Sequence, residues 1–93
     1  MEKIDKVYFI ENKWKIENEN KLAYKLFKFK DFKAAFSWMN SIAIIAEKND
    51  HHPEWKNVYN KVEVILTTHE IGSLSKKDLD LARAMDESFE KFL

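Results

Sequence analysis

From Asp31 to Ala46 the chain repeats its apolar residues at the spacing of an α-helix, and no other stretch limits the fold as tightly. Phe32, Ala35, Phe36, Met39, Ile42, Ala43 and Ala46 recur three or four residues apart, so on a helix they form one stripe. Asp31 precedes the run, and its carboxylate can accept a backbone N–H there as an N-cap. Trp38 and Ile45 fall off that stripe and are expected to pack on another element or on a neighbouring subunit. The helix should end near Lys48-Asn49, with the asparagine closing it.

A helix with one apolar face needs a layer to cover it, and the flanking sequence alternates as strands do. Trp14 and Ile16 alternate with charged neighbours from Lys13 to Glu17, and Glu17-Asn18-Glu19-Asn20 reads as a polar turn. The next strand starts at Lys21 with Leu22, Tyr24 and Leu26 on one face. Phe27 and Phe29 continue on the other parity, the mark of a β-bulge or of a strand apolar on both faces. From Val58 the alternation returns: Val58, Val62, Val64 and Leu66 share a face opposite Tyr59, Lys61, Glu63, Ile65 and Thr67. Unbroken, that pattern would turn His69 away from the core. Glu70 to Leu74 holds the only glycine and predicts a turn. Ser75-Lys76-Lys77-Asp78 predicts a capping box opening a second helix striped by Leu81, Ala82, Met85, Phe89 and Phe92. The order strand, strand, helix, strand, helix implies an α+β fold, an antiparallel sheet covered on one face by two long helices.

Ninety-three residues suit a single domain, 1–93, with no linker. A domain of that size gains from self-association, so a homo-oligomer is expected. Sixteen basic residues balance sixteen acidic ones, interspersed, which argues against direct nucleic-acid binding. With no cysteine, disulfides, zinc-thiolate sites and thiol nucleophiles drop out. The start of the chain reads as neither signal peptide nor membrane span, so no membrane partner and a cytoplasmic location are expected.

Asp50-His51-His52-Pro53-Glu54-Trp55 carries two of the three histidines beside the only proline. Imidazole titrates near ~6.5, so the pair can give and take protons at neutral pH. Pro53 ends helical continuation and pushes His52 toward an extended backbone, which predicts a loop of restricted shape. The His spacing lacks the His-x-x-x-His pattern of a helix-borne metal site, and no metal is expected. Several neighbours have plain structural readings: Asp78 as a helix-start carboxylate, Glu47 as a solvated charge, Thr67 and Thr68 as strand residues. Trp55 and Tyr59 fit either core packing or stacking on a flat heterocycle.

The segments Ala46 to Trp55, Asn57 to Val62, Thr68-His69-Glu70 and Leu74 to Asp78, with Phe29 to Phe32 and Ala35-Phe36 before them, resemble the pterin-4a-carbinolamine dehydratase family. That resemblance implies an antiparallel sheet with helices on one face and a homodimer or homotetramer. It also implies loss of water from 4a-hydroxytetrahydropterin to give quinonoid dihydropterin, in the recycling of the tetrahydrobiopterin used by aromatic amino acid hydroxylases. His51, His52 and His69 would then be catalytic. His51 and His52 would share the proton transfers, and His69 would orient the substrate or protonate the leaving hydroxyl. Glu47, Asp50, Pro53, Trp55, Thr67, Thr68, Glu70 and Asp78 would bind substrate or support the pocket. The pterin is the substrate, and no cofactor is implied. Family members usually carry a longer first helix than Met1–Asn12 allows, and a second glycine where this chain has Ser73. The competing readings are a dimerisation or coactivator-type binding module, known in the family with a homeodomain transcription factor, and a role in another pterin pathway such as that of the molybdenum cofactor.

Overall fold

The computed structural model describes residues 6–93. Met1–Asp5, and the part of the N-terminal reading that falls on them, lie outside the described residues. The element order is α1 (Val7–Glu11), β1 (Lys15–Glu17), β2 (Leu22–Lys28), α2 (Phe32–Lys48), β3 (Glu54–Val58), β4 (Lys61–Leu66) and α3 (Lys76–Glu90). The α+β architecture is the expected one, with α1 and β3 added. All strand pairs are antiparallel, in the order β1-β2-β4-β3. No helix among the described residues is long and apolar enough to cross a membrane.

The β2–β4 ladder runs without interruption from Ala23↔Leu66 to Lys28↔Lys61, so the parity switch in β2 marks a strand apolar on both faces and not a bulge. The face turned to the helices carries Ala23 and Phe27, with Phe29 beyond the strand end, all buried. Leu22, Tyr24 and Leu26 take the opposite face. On β4 the expected side is the core side: Val62, Val64 and Leu66 are buried. Val58 is exposed, because a tight turn with Tyr59 at φ 53° separates it from them.

Asp31 caps α2, its Oδ1 accepting the Ala34 N–H at 2.8 Å. The helix is rotated from the expected stripe: Ala34, Ala35, Trp38, Ile42 and Ala46 are buried, while Phe32, Phe36 and Ala43 are exposed. Trp38 fills the space between sheet and α3, with no exposed surface, and its Nε1–H donates to the Met85 carbonyl at 3.1 Å. A buried indole N–H needs such a partner, and this rotation supplies one. Ile45 and Met39 flank the core half-buried. Leu81, Ala82 and Met85 of α3 complete the layer, with Phe89 and Phe92 at its edge.

At the opposite end of the sheet from the histidines, Asp86 gathers the N-terminal elements. Its Oδ2 accepts from the Tyr8 hydroxyl at 2.7 Å and the Trp14 indole at 2.9 Å, and its Oδ1 pairs with Lys25 Nζ at 2.6 Å. The Lys25 ammonium also lies over the Phe27 ring, 4.8 Å from its centroid. Thus the short α1, with Phe9 buried, is fastened to α3 and β2.

Removing the Asp86 carboxylate leaves the mostly buried Lys25 ammonium with the Asn12 carbonyl and the Tyr8 and Trp14 donors without this acceptor, so Asp86→Ala should cost about 3 kcal/mol in urea unfolding. A loss no larger than that of an ordinary surface substitution would refute the hub. Burial, then the Asp86 carboxylate, pushes the Tyr8 phenol above the ordinary tyrosine value of 10.0. The fold therefore favours the neutral phenol: this contribution is complete below pH ~10 and is lost as pH rises further. Unfolding midpoints taken across that range should fall less steeply for Tyr8→Phe than for the wild type.

Candidate active site

α2 ends where the histidines begin, and the helix end itself sets His51. Asp50, at φ 50°, and not Asn49, takes the left-handed position after the helix. The Asp50 N–H bonds the Glu47 carbonyl at 3.2 Å and the His51 N–H bonds the Ala46 carbonyl at 3.1 Å, the two bonds of a Schellman closure. The His51 side chain is thereby directed inward, where it is 8% exposed.

There it meets Asp78. His51 Nε2 lies 2.6 Å from Asp78 Oδ1, and Asp78 has no exposed surface. The other oxygen, Oδ2, accepts the Thr68 hydroxyl at 2.7 Å and the Ser75 N–H at 2.9 Å. With its proton committed to Asp78, the Thr68 hydroxyl accepts from the Ser75 hydroxyl at 2.6 Å. The capping box thus does two jobs: it starts α3 and it holds the imidazole.

The other two histidines carry carboxylates as well, in open surroundings. His52 Nε2 lies 2.6 Å from Glu47 Oε1 on the last turn of α2, and His69 Nε2 lies 3.0 Å from Glu54 Oε2 at the start of β3. His69 reaches the site because β4 ends at Leu66. Thr67 then bonds the Lys21 carbonyl at 2.7 Å, Thr68 bridges to Ser73, and the alternation that would have turned His69 away is broken. Gly72 takes the left-handed conformation of the turn at φ 64°, and Ser73 has no positive φ.

One open cleft of about 200 Å³ is lined by Asp50, His51, His52, Thr67, His69 and Glu70. All three histidines come together there. Glu47, Thr68 and Asp78 stand behind them as their partners or supports, and Pro53 fixes the chain between His52 and β3. Trp55 is not among the cleft-lining residues; it packs against Trp38, ring centroids 6.1 Å apart. Tyr59 sits exposed in the β3–β4 turn, at the far end of that hairpin from the cleft. Sequence reasoning gave Glu54 and Ser75 no place at the site. In the sequence Glu54 is one polar residue of the Asp50–Trp55 cluster, and Ser75 reads as a cap alone.

The buried and exposed pairs differ in what they hold up. Asp78→Ala leaves an imidazole, a hydroxyl and an N–H without their acceptor and should cost about 2–4 kcal/mol in urea unfolding. Glu47→Ala, at the solvated pair, should leave the midpoint unchanged within error. Equal effects would mean that the buried network does not support the fold.

Comparison with known proteins places these features in company. The family described as pterin 4 alpha carbinolamine dehydratase matches residues 2–88. A Rhodopseudomonas palustris (strain BisB18) protein provisionally named pterin-4-alpha-carbinolamine dehydratase is 52% identical over 73 residues, covering 78% of this chain and 72% of that one. One from Novosphingobium aromaticivorans, named likewise, is 53% identical over 76 residues, covering 82% and 78%. The crystal structure of a transcriptional coactivator/pterin dehydratase from Brucella melitensis superposes with a TM-score of 0.81 at 36% identity, covering 94% of this chain and 98% of that one. A pterin dehydratase-like protein identified as a RuBisCO assembly factor in the alpha-carboxysome shares the fold alone, with a TM-score of 0.71 at 16% identity over 82% of this chain and 88% of that one.

Proposed function

The chain belongs to the pterin-4a-carbinolamine dehydratase family, a family of hydro-lyases, and on that premise we propose that it removes water from a 4a-hydroxytetrahydropterin by histidine acid–base catalysis. One observation carries the reading: three imidazoles around a single cleft, each with a carboxylate on Nε2. The chemistry asks for little more. The C4a–O bond breaks as the hydroxyl takes up a proton and leaves as water, while the N5–H proton is lost and the N5–C4a double bond forms. One group must donate and another accept, and both steps suit a side chain that titrates near neutrality.

His51 and His52 would share these transfers, with His69 orienting the substrate or protonating the hydroxyl. Asp78 occupies Nε2 of His51, which leaves Nδ1 for exchange with the substrate. The neighbouring polar groups, Asp50, Thr67 and Glu70, suit the donor-and-acceptor edge of a pterin. The product, a quinonoid dihydropterin, fits recycling of the cofactor of aromatic amino acid hydroxylases. No metal or separate cofactor enters the balance.

The exposed side of α2 supports a second role. Phe32, Phe36 and Ile44 stand 49%, 58% and 64% exposed on one helix, an apolar surface suited to a second copy of this chain and so to a homodimer or homotetramer. A binding module of the coactivator kind would use the same surface. Trp38 cannot report on it, being buried in the core.

Stopped-flow absorbance should show the protein accelerating decay of 4a-hydroxytetrahydropterin, and His51→Ala/His52→Ala should lower that acceleration by at least about 100-fold. An undiminished rate in the double variant would overturn the assignment. In sedimentation, Phe36→Glu should yield a smaller species than the wild type; an unchanged size would remove this face from self-association.

A further inference from the structure

We propose that Glu54, two residues after His52, is a positioning residue that acts on the reaction through His69; the inference rests on the dehydratase reading above. His69 is the histidine least held by its surroundings. Its side chain is 79% exposed, so packing cannot choose its rotamer, and among the described residues its ring has one hydrogen-bond partner, Glu54 Oε2 at 3.0 Å.

The pairing follows from topology. β3 and β4 run antiparallel with Glu54 opposite Ile65, so the first residue of β3 stands beside the chain just as it leaves β4 for the turn that carries His69. Pro53 immediately before it restricts the backbone, and the β3–β4 ladder holds it after, so the Glu54 backbone is fixed on both sides. Its strand neighbour on the same face, Lys56, is occupied elsewhere, with Nζ 3.9 Å from Glu63 Oε2. The Glu54 carboxylate is left to the imidazole. Once Nε2 donates to it, the ring plane is set and Nδ1 is the nitrogen available to a pterin in the cleft. Asp50, His51, His52 and Glu70 share that cleft. His51 and His52 have their own carboxylates, so Glu54 serves His69 alone.

A double-mutant cycle with an NMR readout tests this. Glu54→Ala should lower kcat about tenfold with KM within about twofold, and in a His69→Ala background the same change should lower kcat by less than about twofold. Glu54→Gln keeps an acceptor oxygen and should recover most of the lost rate. The Hα–Hβ couplings of His69 should report one side-chain rotamer in the wild type and Glu54→Gln, and rotamer averaging in Glu54→Ala. Equal losses in both backgrounds, or couplings unmoved by Glu54→Ala, would overturn the proposal. A wild-type protein without pterin turnover, whose His69 couplings still change on Glu54→Ala, would overturn the dehydratase reading while leaving the pairing in place.

Discussion

Asp78 and His51 form the interaction on which the site end of the molecule depends. A carboxylate with no exposed surface is tolerable only if its oxygens are occupied, and here an imidazole, a hydroxyl and a backbone N–H do so at 2.6–2.9 Å. Those donors come from three places: the loop after α2, the segment after β4, and the residue that caps α3. Satisfying one carboxylate therefore ties three segments together, two of which also share the Thr68–Ser75 hydroxyl bond.

The histidine-lined cleft is a consequence of that junction and of antiparallel pairing. His52 follows His51 directly, and the hairpin that starts two residues later returns β4 to the same end of the sheet, bringing His69 with it. The three histidine–carboxylate pairs then grade from a buried one that belongs to the fold to two solvated ones that do not. Under the proposed reaction the two solvated imidazoles would meet an entering substrate directly, while Asp78 would hold His51 by Nε2 at the wall of the same cleft. Asp86 performs the corresponding fastening at the other end, where Tyr8, Trp14 and Lys25 converge on one carboxylate.

Both long helices and their caps were legible in the sequence because their signals are local. Asp31 and Ser75 act within three residues of themselves, and the capping box that placed α3 also supplied Asp78. The face of α2 was not legible. Phe32 and Phe36 on one side and Trp38 on the other define competing stripes of similar apolarity, and the face that is buried is the one on which Trp38 packs against Phe27, Phe29 and Trp55 and reaches the Met85 carbonyl, 47 residues away. β2 posed the same ambiguity, with apolar residues on both parities. β3 left little trace because its burial alternates but its polarity does not follow: polar Asn57 lies on the half-buried side and apolar Val58 on the exposed one. For His69, the sequence pattern pointed the wrong way only while the strand was assumed to continue; the early end of β4 at Leu66 reversed it.

By itself the sequence determined the layered α+β class, the helix starts and the histidine-rich loop, all of which follow from periodicity or from contacts between near neighbours. It also carried the family resemblance, through a long ordered set of residues. Only the tertiary structure decided which carboxylate holds which imidazole and which side of α2 is left exposed. Glu47, Glu54 and Asp78 are chemically alike in the sequence. They differ in burial and in the distance to a particular ring, and both are set by the packing of segments far apart in the chain.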